Sequence, residues 1–264
     1  MKPRLIINGA AGRMGRRIAA LAVEAGRFDI IAAVDSPDHP DIGADAGLLA
    51  RVDKLGIELG TDLPKKADCL IDFSLPQAAD GVIEHCRSCG IALVMGTTGL
   101  SDDQVAIIGQ AAEKIPVIRA SNFSVGMNVL FSLIGNVAGR LGDQYDIEVV
   151  EAHHRFKKDS PSGTALTLAE NIARETGRDF PACLVHGRSG KDALRQKGTI
   201  GMHSVRAGDI TGEHSVIFST LGETLTLAHS AHSRDNFARG ALKAAEWIIG
   251  KTPGAYSMAD VLGI

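Results

Sequence analysis

Residues 151 to 165 read Glu-Ala-His-His-Arg-Phe-Lys-Lys-Asp-Ser-Pro-Ser-Gly-Thr-Ala, a stretch that gathers two adjacent histidines, three cations and a small-residue turn. A metal site, a nucleophile with its base, an anion cradle and a solvated polar loop could each use such a mixture. Zinc usually takes a third nitrogen, sulfur or carboxylate ligand on the same face. Neighbouring strand residues point to opposite faces, so His153 and His154 cannot both ligate from a regular strand. The chain has no His-Glu-x-x-His or paired Cys-x-x-Cys spacing, and no metal is expected. Ser162 as a nucleophile would need an elbow of the Gly-x-Ser-x-Gly kind, which Ser160-Pro-Ser-Gly-Thr164 is not. The anion cradle fits better. Ser162, Gly163 and Thr164 open an expected helix, whose free N–H groups and hydroxyls can hold a carboxylate. Lys157 adds a point charge. A histidine side chain ordinarily titrates at about 6.5, so His153 or His154 can deliver a proton to a substrate being reduced. A strand ending at Glu151 or Ala152 would free His153, His154 and Lys157 to converge on one substrate.

A second motif, Gly9-Ala10-Ala11-Gly12-Arg13-Met14-Gly15, follows the apolar run Leu5-Ile6-Ile7 and opens the helical stretch Met14 to Ala25. The spacing is one residue longer before the second glycine than the usual dinucleotide fingerprint, but the physics is the same. Glycine lets backbone approach a pyrophosphate, and the helix start supplies N–H groups and the positive dipole end. Asp35 ends the next strand, about 20 residues on, where a carboxylate accepts from a ribose hydroxyl. Ser36 to Ala50 contains no lysine or arginine and adds Asp38, Asp41 and Asp45. NADH is therefore expected, with NADPH possible because Arg13 and Arg16 lie close by in sequence. Gly96-Thr97-Thr98-Gly99 and Ala120-Ser121-Asn122-Phe123 follow the fourth and fifth strands, at carboxyl ends where open α/β sheets bind ligands. Small residues there suit the nicotinamide and its ribose.

These motifs need elements to position them. Up to residue 121, five apolar strands alternate with helices, the pattern of a Rossmann-type, doubly wound parallel sheet in an α/β protein. After Asn122 come a long apolar helix (Val125 to Leu141), a strand (Tyr145 to Glu151), an amphipathic helix (Thr164 to Thr176) stopped by Gly177, and three β-rich segments. Those segments suggest a smaller α+β domain with an open, mainly antiparallel sheet. The expected division is a dinucleotide-binding domain over 1–124, completed by 235–264, and a substrate-binding and oligomerisation domain over 125–234.

A chain of 264 residues suits two domains. Its 45% apolar and 22% charged content is that of an ordinary globular protein, and a net charge of −3 offers no field for nucleic acid or an anionic membrane. No apolar run reaches the ~18 residues of a membrane span. The N-terminus runs directly into a strand, so a cytoplasmic protein is expected. Cys86 and Cys89 have redox spacing without the usual context, and four cysteines do not make a disulfide scaffold at this length.

Chemistry alone thus gives a nicotinamide-dependent reductase of a small anion. The segment from Glu151 to Ala165 also closely resembles the signature of the 4-hydroxy-tetrahydrodipicolinate reductase (dihydrodipicolinate reductase) family. So do Gly9 to Gly15, Gly96 to Gly99, Ala120 to Gly126 and Val205-Arg-Ala-Gly-Asp-Ile210, in order over essentially the whole chain. The resemblance implies NAD(P)H-dependent reduction in lysine and diaminopimelate biosynthesis, and a homotetramer assembled through the smaller domain's sheets. In its terms His153 matches the proton donor and Lys157 the second catalytic cation. His154, Ser162, Gly163 and Thr164 match substrate-carboxylate contacts. Gly9, Ala10, Ala11, Gly12, Arg13, Met14, Asp35, Gly96, Thr97, Thr98, Ala120, Ser121, Asn122 and Phe123 match cofactor contacts. Ser160 stands where alanine is common, and Ser36 where some dual-cofactor members carry arginine, which points to NADH. The rival readings are another two-domain amino-acid or semialdehyde dehydrogenase and a non-catalytic NAD-binding regulator.

Overall fold

Leu5, Ile6 and Ile7 have no solvent exposure, as a strand covered on both faces by helices requires. In the computed structural model, which describes residues 1–264, the chain divides into two compact units, Met1–Val125 with Arg234–Gly263, and Gly126–Ser233 with Ile264.

The first unit runs β1 (Arg4–Asn8), α1 (Arg13–Ala25), β2 (Asp29–Val34), the single turn α2 (Ala46–Leu49), β3 (Leu59–Gly60), β4 (Cys69–Asp72), α3 (Ala79–Cys89), β5 (Ala92–Met95), α4 (Asp102–Ala112) and β6 (Pro116–Arg119). Then α5 (Val125–Leu141) begins at the division and leads through β7 (Asp146–His153), α6 (Gly163–Thr176), β8 (Leu184–His186), β9 (Ile200–Arg206), β10 (Glu213–Thr220) and β11 (Glu223–Ser230). The first unit is completed by α7 (Asp235–Ile248), β12 (Gly254–Tyr256) and α8 (Met258–Leu262). Local chemistry sets several of these limits. Ser101 accepts from the Gln104 amide while Gln104 reaches back to the Ser101 N–H, a capping box that starts α4. Gly26, Gly90 and Gly177 close α1, α3 and α6 in the left-handed conformation.

The first sheet has the order β12-β6-β5-β4-β1-β2-β3, every pairing parallel. It has seven strands where the apolar pattern predicts five. The additions, β3 and β12, are edge strands of two and three residues, too short to register as apolar runs. The order turns back between β1 and β4, which leaves Asn8 and Asp72 side by side at the switch point. Helix α7 lies against α1, tied by Arg17 to Asp235 at 2.7 Å.

The second sheet has the order β11-β10-β7-β9-β8. Two pairings are antiparallel (β11 with β10, β10 with β7), and two are parallel (β7 with β9, β9 with β8). The expectation of a mainly antiparallel sheet is thus corrected to a mixed one. Between β7 and β8 the chain crosses over through α6, and a helical crossover returns the chain in the parallel sense. One face of this sheet is the unit's core. Ile147, Val149, Ile200, Met202, Val216 and Phe218 pack there with Met127 and Ile134 of α5 and Leu168 and Ile172 of α6. Truncating Leu168 to alanine in such surroundings costs about 2–5 kcal/mol.

Candidate functional site

The glycine loop follows from close backbone approach. The Gly12 N–H donates to the Gly9 carbonyl at 3.1 Å and the Ala10 N–H to Val34 at 3.0 Å, folding the loop back on the sheet. Gly9 has φ +74°, and a Cβ there would strike the Phe73–Ser74 backbone; a Cβ on Gly15 would strike the Gly9 carbonyl and Ala10. Gly9 and Gly15 therefore hold the loop against β4 and α1. Gly12 is exposed and, with Gly9 and Asp35, lines an open cleft of about 800 Å³. The half-buried Asp35 accepts from the Ala11 N–H at 2.9 Å and from the Ser36 N–H at 2.8 Å, which pins its carboxylate beside the loop with lone pairs to spare for hydroxyl donors. Arg16 spends its guanidinium on the Ala11 carbonyl and Asp41, at 2.7 and 2.8 Å. Arg13 is exposed and Met14 half-buried. No lysine or arginine lines the cleft.

At the ends of β4 and β5 the structure adds residues that the sequence motifs did not flag. Asp72 is fully buried and accepts from Asn8 at 2.7 Å, from the Ser74 N–H at 3.3 Å and from the Thr97 hydroxyl at 2.6 Å. The Thr97 hydroxyl is thus turned inward, holding the Gly96–Thr98 turn in place, while Thr98 is exposed. The Phe73 ring lies where a Cβ of Gly96 would be and packs on Phe123 at 5.5 Å. Phe123 is a core residue; Ala120, Ser121 and Asn122 are the more open members of their turn. Asn8 and Asp72 could have been suspected, since each is a polar residue ending an apolar strand on either side of the switch point.

The second site grows out of the second unit's core. Along β7 the residues Ile147, Val149, Glu151 and His153 share one face, because side chains alternate. Ile147, Val149 and Glu151 are all essentially unexposed. Register then sets the neighbours. His214 of β10 and Ser204 of β9 lie opposite Glu151, and Arg206 of β9 lies opposite His153. The apolar face therefore becomes a polar cluster at one end of the sheet. This corrects the expectation that the strand stops at Glu151 or Ala152: it runs through His153, and the loop begins only at His154. The extension is fixed by pairing with β9, continued by the Ala207 N–H donating to the His153 carbonyl at 3.0 Å.

Glu151 organises the cluster. Its carboxylate meets His153 Nδ1 at 2.6 Å, accepts from both terminal nitrogens of Arg206 at 2.8 Å, and accepts from the Ser162 N–H at 3.1 Å. Burial alone would raise its pKa, but hydrogen bonds from Arg206, His153 and Ser204 outweigh that and hold it at about 2. Burial lowers the pKa of His153, against the pull of Glu151. His214 is buried beside His153, ring centroids 5.1 Å apart, and burial followed by the charge of His153 lowers its pKa to about 3. His214 is therefore neutral near pH 7.

The other expected residues lie around this cluster and beyond it. Ser162 caps α6 by accepting from the Ala165 N–H at 3.2 Å, and its hydroxyl also meets His214 Nε2 at 3.1 Å. Its side chain is committed to the fold and 2% exposed. Gly163 is exposed at the start of α6, and Thr164 is buried. Lys157 pairs with Asp159 at 2.8 Å. His154 stands beside Phe156, ring centroids 6.3 Å apart. Cys86 and Cys89 end α3; Cys86 is fully buried, and burial pushes its thiol pKa up.

Residues 3–123 match the family model described as dihydrodipicolinate reductase, N-terminus, and residues 126–262 the one described as dihydrodipicolinate reductase, C-terminus. A 4-hydroxy-tetrahydrodipicolinate reductase of Alkalilimnicola ehrlichii is 48% identical, covering 100% of both chains. The protein of that name from Hahella chejuensis is 46% identical over 99% of each. Among solved structures, a dipicolinate-bound dihydrodipicolinate reductase from Paenisporosarcina sp. TG-14 shares the fold at a TM-score of 0.72 and 24% identity, covering 98% of this chain and 99% of that one. An amine dehydrogenase from Mycobacterium smegmatis, 13% identical over 98% and 95%, shares it at 0.58. No helix is long and apolar enough to cross a membrane.

Proposed function

The chain belongs to the dihydrodipicolinate reductase family, and from that premise we propose how its residues divide the reaction. The activity is NAD(P)H-dependent reduction of 4-hydroxy-tetrahydrodipicolinate, with loss of water, to tetrahydrodipicolinate in lysine and diaminopimelate biosynthesis. Bound NAD(P)H supplies the hydride. The protein has to hold the cofactor, hold a ring with two carboxylates and supply one proton.

In this reading the first unit is the dinucleotide-binding domain. Gly9 to Gly12 shape the loop, whose own N–H groups at Ala10, Ala11 and Gly12 are spent within the fold; the N–H groups of Arg13 and Met14 at the start of α1 would meet the pyrophosphate, and Asp35 would accept from the ribose of the adenosine. Gly96 to Thr98 and Ala120 to Phe123 shape the nicotinamide end, with Thr97 and Phe123 acting from within the fold. NADH is the preferred cofactor. A 2′-phosphate would meet the Asp35 carboxylate in a cleft that no lysine or arginine lines, and Arg16 is already engaged by Asp41. Asp35→Ala should weaken NADH and relieve the repulsion toward NADPH, moving the ratio of kcat/KM values toward NADPH by about tenfold or more, the equivalent of roughly 1.4 kcal/mol. A wild-type enzyme with equal or higher kcat/KM for NADPH would overturn the preference.

The second unit binds the substrate and carries the assembly of a homotetramer. His153 is the proton donor. Nδ1 is taken by Glu151, so Nε2 is the nitrogen that serves the substrate. Lys157 leaves Asp159 to meet a carboxylate, and His154 contributes to the same grip. Backbone N–H groups of Gly163 and Thr164 at the start of α6 hold the carboxylate's other side, and Ser162 shapes that turn. The observation that carries the assignment is the pairing of His153 with a buried carboxylate at the mouth of α6. The protein is cytoplasmic in this reading. The test is NADH oxidation dependent on the condensation product of pyruvate and aspartate semialdehyde. Turnover that vanishes in His153→Ala, with NADH binding retained, supports the assignment. A His153→Ala enzyme with near-wild-type kcat refutes it.

A further inference from the structure

The segment Val205-Arg206-Ala207-Gly208-Asp209-Ile210 has no part in the reaction as described, yet it closes around His153. The Ala207 N–H donates to the His153 carbonyl at 3.0 Å, and the Arg155 N–H donates to the Gly208 carbonyl at 3.1 Å. Between these two backbone links the Arg206 side chain reaches the Glu151 carboxylate with both terminal nitrogens, one on each oxygen, at 2.8 Å. The same two nitrogens also donate to the carbonyls of Val205 and Asp159 at 2.7 Å. The fork is thus tied to its own strand and to the far end of the histidine loop.

A two-pronged guanidinium fixes the plane of a carboxylate as well as its position. Glu151 Oε1 is further occupied by the Ser162 N–H at 3.1 Å, which leaves Oε2 to face His153 Nδ1 at 2.6 Å. An ionised carboxylate accepts only, so the nitrogen it faces carries hydrogen. We propose that Glu151, locked in plane by Arg206, is the positioning residue of His153: it fixes the Nδ1–H form and the ring's orientation, and so presents Nε2 to the substrate with the proton it is to give up. This inference rests on His153 being the proton donor.

A second consequence concerns pH. The groups facing His153 are Glu151 on its own strand, Arg206 from β9, His214 from β10 and Lys157 from the following loop. His214 is neutral near pH 7, and Arg206 and Lys157 both oppose a charge on His153. Burial opposes it too, and Glu151 is the group among these that favours it. Acid catalysis requires protonated His153, so kcat declines as pH rises through its pKa. Removing the charge of Glu151 while Arg206 stays leaves an uncompensated cation beside the ring. The decline then moves to lower pH.

The test compares pH profiles of kcat for wild type, Glu151→Gln and His153→Ala, with NADH affinity as the check on the first unit and cooperative thermal unfolding as the check that the second is folded. For Glu151→Gln the expected result is a loss of kcat of about 10–100-fold, the size seen when the hydrogen-bonding partner that orients a metal-bound histidine is removed. Its alkaline limb is expected about one pH unit lower, the equivalent of a tenfold change in proton affinity. A purely structural lesion would lower kcat without moving the limb, and that outcome overturns the inference. Arg206→Lys keeps the charge and loses the fork; kcat should fall while the limb moves little, and wild-type kcat in this variant overturns the inference even where Glu151→Gln does not fold. The two levels separate cleanly. An active His153→Ala removes the proton-donor reading itself, whereas an inactive His153→Ala beside an unshifted Glu151→Gln leaves that reading standing and removes only the positioning role.

Discussion

Strand β7 carries two glutamates in nearly the same chemical dress on opposite faces. Glu151 is held by the Arg206 fork and touches His153. Glu148 is held by the Arg188 fork at 2.9 and 2.8 Å, by Arg195 at 3.0 Å, and touches His203 at 2.6 Å. Burial pushes both pKa values up, their donors pull both down, and both settle at about 2. An arginine fork plus a histidine is therefore not in itself an active-site signature. The difference lies in the surroundings. The Glu151 side chain is 1% exposed, shares its face with the hydrophobic core and receives the N–H of the α6 cap. The Glu148 side chain is 20% exposed, and Arg188 and Arg195 come from the long connection between β8 and β9. In the proposed reading, the cage that closes a core and adjoins a helix start is the one beside the substrate. The other ties a loop to a sheet.

The largest effect that can break this comparison is truncation of the buried cage. Glu151→Ala leaves Arg206 facing an empty, mostly buried space, and losing one partner of such a pair costs about 3–5 kcal/mol; a drop in unfolding free energy no larger than that of Glu148→Ala would show the two cages to be equivalent. Glu148→Ala should cost less, about 1–3 kcal/mol for lost charged hydrogen bonds, and should leave the pH profile of kcat in place. A shifted limb in Glu148→Ala would place both cages in the catalytic machinery.

Acid pH offers a smaller and graded effect. His214 has a folded pKa of about 3 against an ordinary value of 6.5. Its neutral form is thus the folded form, and the stability it contributes is present above ~6.5 and declines as pH falls below it, by at most ~1.4 kcal/mol per unit. The two glutamates are depressed from 4.5 to about 2, so their contribution is present above 4.5 and is lost only as pH falls from there toward 2. Wild-type stability should begin to fall between pH 6.5 and 5, before either cage titrates. His214→Asn, which cannot ionise, should be less stable at pH 7 but lose less over that interval. Parallel curves for the two proteins would show that His214 is not the group responsible.

The two sites were unequally visible in the sequence. Gly9 to Gly15 and Asp35 can be read directly, because strand, turn and helix succeed one another locally and the glycine spacing reports where a Cβ has no room. The histidine segment reveals its chemistry by composition, but its geometry depends on pairings far along the chain. Arg206 meets Glu151 across 55 positions, and only the parallel register of β7 with β9 brings them level. Alternating β-branched residues identify β9 and β10 as strands but carry no information on direction, so the mixed sheet was not legible. Nor was the extension of β7 through His153, which neighbouring strands impose. Asp72 was hidden differently, as a polar residue closing an apolar run whose partners, Asn8 and Thr97, come from two other strand ends.

The most direct measurement is kcat and NADH affinity for His153→Ala beside wild type, with the cyclic dicarboxylate as substrate. A positioned general acid contributes about 10²–10⁴-fold, so kcat should fall by that factor while the dissociation constant for NADH stays unchanged. A His153→Ala enzyme that keeps near-wild-type kcat would contradict the account.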